Sequence, residues 1–147
     1  MHKGHYGTND AAEVGFSMTN AADQELTVTR VTVTPSDTSI NALHDESSEV
    51  GRWVSEVQVA ADTRDGVSDV PGSAALPNTF DMATDGWDDA ADQMAVMSAG
   101  SSASVTLSRF EDSGTPVDMT GRDVDIEVGY ELADGMTSTD SFTVTPE

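Results

Sequence analysis

The chain has 147 residues, of which 27 are Asp or Glu and only 6 are Lys or Arg, giving a formal charge of −21 at pH 7. That balance excludes nucleic-acid binding by phosphate neutralisation and adsorption to an anionic membrane; the lack of cysteine excludes disulfides, thiolate metal sites and thiol catalysis. The length suits one domain with a modest core, and no run approaches the ~18 apolar residues of a membrane span.

Residues 1–12 read as an N-terminal arm and residues 13–147 as one domain. Val14, Phe16 and Met18 alternate with Gly15, Ser17 and Thr19, the period of a half-buried strand, and Asn20-Ala21-Ala22-Asp23 supplies a turn. Glu25–Thr34 continues as a threonine-rich, β-branched strand. Leu26 and Val28 share one face but Val31 and Val33 share the other, which predicts a bulge near Arg30 or a crossing between sheets. Pro35-Ser36-Asp37 ends the strand. Arg52–Ala60 places Trp53, Val57 and Val59 on one side and Glu56 and Gln58 on the other.

Thr63–Asn78 reads as a loop, broken by Gly66, Pro71, Gly72, Ser73 and Pro77, with a short strand at Thr79–Met82. Asp88–Ala99 fits two patterns. Ala90, Ala91, Met94 and Met97 form a helical stripe whose start would gain from the acids of Asp85–Asp89, whereas Met94 and Val96 fit a strand. Val105 and Leu107 followed by Phe110 repeat the parity change, now beside Arg109. The clearest segment is Val124–Leu132. Val124, Ile126, Val128, Tyr130 and Leu132 point one way, and Asp123, Asp125, Glu127, Gly129 and Glu131 the other. Asp134-Gly135 marks a hairpin turn, and Ser141–Thr145 returns with Phe142 and Val144 inward. The whole predicts an all-β fold: a single antiparallel β-sandwich of seven to nine short strands, jelly-roll or immunoglobulin-like, with at most one short helix.

Charge this high raises disorder as a competing reading, because Leu, Ile, Val and Phe together number only 27. The clean alternation argues against it. Asp outnumbers Glu 18 to 9, Lys3 is the single lysine against five arginines, and 16 Ala and 16 Val stand where Leu and Ile are usual. A sphere of radius ~17 Å carrying this charge repels itself by roughly 17 kcal/mol at 0.15 M salt and roughly 8 at 1 M. Domains are stable by only ~5–15 kcal/mol. The chain therefore suits molar salt, and its fold is expected to loosen below a few tenths molar.

Chemistry-bearing residues are few. His2 and His5 form a His-x-x-His pair in a Gly-flanked arm, a set that can hold a transition metal but equally one that an arm carries without a ligand. His44 lies beside Asp45 and Glu46, with no Gly-x-Ser-x-Gly elbow to supply a nucleophile. Asp62-Thr63-Arg64-Asp65-Gly66 and Asp85-Gly86-Trp87-Asp88-Asp89 gather oxygen ligands without the EF-hand spacing. Turn chemistry on an acidic surface therefore competes with a divalent cation at Asp85, Asp88 and Asp89. Trp53 is expected in the core, and Trp87, in a loop among aspartates, as an exposed anchor for a partner. No catalytic residue and no cofactor are expected beyond salt and that possible divalent cation.

The composition resembles the proteomes of extremely halophilic archaea and their viruses. Val14–Asn20 followed by Leu26–Pro35 resembles the Thr/Val-rich hairpins of haloarchaeal surface and pilin-type β-sandwiches. Such exported proteins carry a signal or an apolar helix, and the sequence, starting Met1-His2-Lys3-Gly4-His5, shows neither, nor an Asn-x-Ser/Thr sequon. A small acidic β-sandwich of this kind is similar to the single jelly-roll capsid proteins of haloarchaeal viruses. That resemblance implies a non-enzymatic virion protein, in the shell, at a vertex or as a decoration. It would be a homo-oligomer or a partner of other capsid subunits, with no nucleic-acid contact. The alternative is a surface or pilin-like ectodomain of a haloarchaeon.

Overall fold

A computed structural model describes residues 12–43, 57–68, 74–82, 94–107 and 109–146. These residues are all-β, every strand pairing is antiparallel, and no helix occurs among them. In chain order the strands are β1 (Val14–Thr19), β2 (Leu26–Pro35), β3 (Ala42–Leu43), β4 (Val57–Ala60), β5 (Gly66–Ser68), β6 (Ala74–Ala75) and β7 (Asn78–Asp81). They continue as β8 (Ala95–Met97), β9 (Ser102–Leu107), β10 (Phe110–Asp112), β11 (Thr115–Pro116), β12 (Val124–Leu132) and β13 (Thr137–Val144). Only β1, β2, β4, β7, β9, β12 and β13 reach four residues. The others are too short to leave a periodic trace in a sequence.

The strands form three sheets. One runs β1-β9-β4-β5 and a small one runs β11-β10-β3-β6. The third runs β13-β12-β2, with β7 and β8 sharing the far side of β2. Alternation places Val14, Phe16 and Met18 of β1 and Ala103, Val105 and Leu107 of β9 in one apolar cluster with Val31 and Val33 of β2 and Val124, Ile126 and Val128 of β12. Phe16 meets Phe142 edge-on across this layer, with ring centroids 5.3 Å apart and planes at 70°. Antiparallel sheets sharing one apolar layer are consistent with a β-sandwich.

Both parity changes have structural causes. In the β2–β12 ladder Gly129 faces Arg30 while Tyr130 faces Val28, so Thr29 is the extra residue of a bulge. The opposite edge of β2 changes partner at the same place: β7 pairs with Arg30–Val33 and β8 with Leu26–Val28. The Thr29 carbonyl between them accepts a hydrogen bond from Met82 N at 3.0 Å. Arg30 lies across Gly129 so closely that a Cβ there would sit 2.7 Å from Arg30 Cγ. At Arg109 the chain changes sheet instead, because β9 pairs with β1 and β4 while β10 pairs with β3 and β11.

The described residues form thirteen strands rather than the expected seven to nine, six of them only two or three residues long, and three segments differ in kind from the sequence expectation. Gly66 breaks nothing; it opens β5, and a Cβ there would fall 2.4 Å from Ala95 N, so glycine permits β5 to pass against β8. Over Ala95–Met97 the chain is strand rather than helical stripe, and Ala95 and Met97 are the buried pair while Met94 and Val96 are half-buried. Tight packing of the small Ala95 against Gly66 sets that parity. The suggested helix start at Asp85–Asp89 lies outside the described residues. β13 starts at Thr137, ahead of the Ser141 expected, because it follows β12 residue for residue back to the turn.

Candidate functional site

Alternation puts the core on one face of the β2–β12–β13 sheet and must put something else on the other. Asp125 pairs with Thr34 on one side and Thr143 on the other, and Glu127 pairs with Thr32 and Ser141. The result is a row of carboxylates flanked by hydroxyls, lining a shallow groove of about 380 Å³. The hydroxyls act on the acids and on each other. Thr143 Oγ1 donates to Asp125 Oδ1 at 2.6 Å, Thr145 Oγ1 to Asp123 Oδ1 at 2.5 Å, and the Thr32 and Thr79 hydroxyls share a bond at 2.9 Å. This face is hydrogen-bonding and acidic. Ile126 and Phe142 also line the groove, so the hydroxyls and acids that hold water and counter-ions stand beside apolar side chains.

A smaller cleft, about 50 Å³, opens where β1 meets β12 and β13, lined by Met18, Leu26, Met97, Val128 and Phe142 together with the polar Asn20, Tyr130 and Asp140. Tyr130 donates its hydroxyl to Asp140 Oδ2 at 3.4 Å. Asn20 is buried, and its amide closes the end of the cleft. Its Nδ2 donates to the carbonyls of Gln24, Met97 and Ser98 at 3.0, 3.3 and 3.1 Å, and its Oδ1 accepts from Ala22 N at 3.0 Å. All four contacts are structural; they fasten the β1–β2 turn to the end of β8.

The acidic loop Asp62–Gly66 resolves as turn chemistry. Ser98 donates both its N–H, at 3.0 Å, and its hydroxyl to the Asp62 carboxylate, and Ala61 N donates to Asp65 Oδ1 at 3.0 Å. Arg64 Nε reaches the Met94 carbonyl at 2.9 Å, and its backbone bridges to Val96. The Ser98 hydroxyl and then the Ser98 N–H hold the Asp62 pKa down at about 2. Ser39 does the same for Asp37 through its hydroxyl and N–H, helped by Arg122, whose Nη1 lies 2.6 Å from Asp37 Oδ2. The Thr120 N–H lowers Asp118. Each shift has a local donor as its main cause.

Among the described residues no group of three or more His, Cys, Asp or Glu is arranged to hold a metal ion. Asp85, Asp88 and Asp89, the candidate cation ligands, and Trp87, the candidate anchor, lie outside the described residues, as do His2, His5, His44 and Trp53. Sequence reading missed the hydroxyl rows beside the carboxylates. Their signal was present in Thr32, Thr34, Ser141 and Thr143 at period two, but β-branched threonine reads first as a strand former. The chain matches no protein-family model, no curated protein and no solved structure.

Proposed function

We propose that this protein is a non-enzymatic structural component of a halophilic virion, a shell, vertex or decoration subunit built as a single β-sandwich of jelly-roll or immunoglobulin-like topology. The observation that supports it is the division of side chains between the two faces of the long sheet. Val31, Val33, Val124, Ile126 and Val128 fill the interior, while Asp125 and Glu127 stand outside between threonine and serine hydroxyls. Chemistry on such a body is surface chemistry: hydration, cation screening and contact between subunits. The surface-ectodomain reading draws on the same hydroxyl-rich face and differs in having a membrane or wall anchor rather than a shell as its setting.

Light scattering across roughly 0.2–3 M salt tests the proposal, a range that takes the Debye length from ~7 Å to below 3 Å. Self-association or co-assembly with other shell proteins that grows with salt is the expected result. A chain that stays monomeric throughout and joins no virion defeats it.

A further inference from the structure

At eight residues, β13 is the longest edge strand of the described sheets, and among the described residues only β12 pairs with it. The turn fixes which of its backbone groups face outward. Leu132 N donates to the Met136 carbonyl at 2.8 Å, so Leu132–Met136 is a hydrogen-bonded pair of the ladder. Bonded and non-bonded pairs alternate in an antiparallel ladder, so Thr137, Thr139, Ser141 and Thr143 turn their N–H and C=O groups away from β12. All four also carry uncharged side chains, whereas the residues facing them on β12 include Glu131, Glu127 and Asp125. Most sheet edges in proteins are shortened, covered or charged against pairing. This one has a single charge, Asp140, which is exposed.

The outward residues are symmetric about Asp140. A second copy brought alongside by a two-fold axis through that residue pairs Thr137 with Thr143 and Thr139 with Ser141, leaving none of the four unpaired. The same register sets Met136, the exposed large hydrophobic of the described residues at 65% accessibility, opposite Val144 of the other copy. It also sets Asp140 against Asp140, at the ~4.5 Å Cα spacing of a non-bonded pair. A register moved by two residues separates the two acids but leaves Thr137 without a partner on the strand. In dilute buffer the Debye length of ~10 Å exceeds the distance between the two carboxylates; at 1 M it shrinks to ~3 Å and screens them.

We propose that β13 is a self-pairing edge, joining two copies of this chain into one continuous sheet about a two-fold axis at Asp140, with the repulsion of the paired acids making the contact conditional on salt. The inference rests on the reading of the protein as an assembling subunit and names a surface through which it assembles.

Sedimentation equilibrium of the full chain, from a few tenths molar to molar salt with the fold checked by circular dichroism, tests it with two variants. Ser141→Pro removes an outward donor and no β12 bond, the one kind of position where an edge strand tolerates proline. It should raise the dimer dissociation constant by more than about ten-fold in molar salt, with circular dichroism unchanged. Asp140→Asn should tighten the dimer by about ten-fold at the lowest salt at which circular dichroism shows the fold intact, and reduce its salt dependence. Cross-linking then fixes the register in a chain that has no cysteine of its own. Asp140→Cys should form a disulfide across the axis, because ~4.5 Å lies within the Cα range of a disulfide, and Ser141→Cys should not. Ser141→Cys cross-linking in preference overturns the register. A molar-salt dimer that Ser141→Pro and Asp140→Asn both leave unchanged overturns the edge and leaves the subunit reading standing. A chain monomeric in every salt overturns the self-pairing edge, and it overturns the subunit reading too only if the chain also joins no virion.

Discussion

β12 and β13 are two strands of one hairpin, paired over eight consecutive positions, yet they are held by different forces. On β12, Val124, Ile126 and Val128 are buried and Asp125 is exposed, and β2 pairs along its other side. On β13, Thr137 through Ser141 are exposed whichever face they occupy, and only Phe142 and Val144 reach the core. The backbone ladder is the same for both; the burial is not. A strand needs only a partner for its hydrogen bonds, whereas alternation in a sequence records a core on one side. The two properties coincide in β12 and separate in β13.

Substitutions at matched depths along the hairpin put that contrast to the test, and should be compared by urea titration at one fixed molar salt. Ile126→Ala removes a side chain that is 1% exposed and should cost about 2–5 kcal/mol. Gly129→Val, also on β12, asks Arg30 to withdraw, because the added Cβ would meet Arg30 Cγ at 2.7 Å, and should cost about 1–3 kcal/mol. Thr139→Ala on β13, facing that same glycine across the ladder, should change stability by no more than about 0.5 kcal/mol. If Thr139→Ala cost as much as Ile126→Ala, the hairpin would be one uniformly stabilised unit and the contrast would fall.

The same distinction explains what was legible in the sequence. Val124–Leu132 is legible to the residue because every second side chain is buried or packs against the core. The bulge at Thr29 and the change of sheet at Arg109 were legible as parity changes, since a shift of the buried face leaves a trace even when the backbone event does not. β5 was missed because Gly66 was taken as punctuation, when its role is to let two backbones approach; sequence shows a missing side chain and not what replaces it. The first half of β13 is not legible because Thr137–Asp140 buries nothing. The fully polar contacts were hidden for a related reason. In a chain with 27 carboxylates the Asp62–Gly66 cluster is visible, but the partner of Asp62 is not until the structure shows Ser98 beside it.

Asp62 offers the finest of these tests, because it holds a loop neither by core nor by ladder. Its pKa, lowered to about 2 by the Ser98 hydroxyl and N–H, lies below the ~3.9 of an unfolded aspartate. A group shifted this way stabilises the fold above its unfolded pKa, and that contribution disappears as pH falls through the folded value. Acid has the opposite effect on the molecule as a whole, since protonating carboxylates relieves the repulsion of a chain at −21. The wild-type melting curve therefore mixes the two trends, and the difference between wild type and Asp62→Asn isolates one. Asn keeps an acceptor for Ser98 but not the charge. The Tm gap between them should be small, because the site is exposed and screened in molar salt. It should hold steady above pH ~4.5 and close between pH ~4 and ~2, while the gap for Thr139→Ala stays flat over the same range. A Tm gap for Asp62→Asn that persists unchanged at pH 2 would mean that the loop is held by the shape of the side chain and not by its charge. The β4–β5 turn would then join β12 among the regions held by packing, leaving β13 alone on the other side of the comparison.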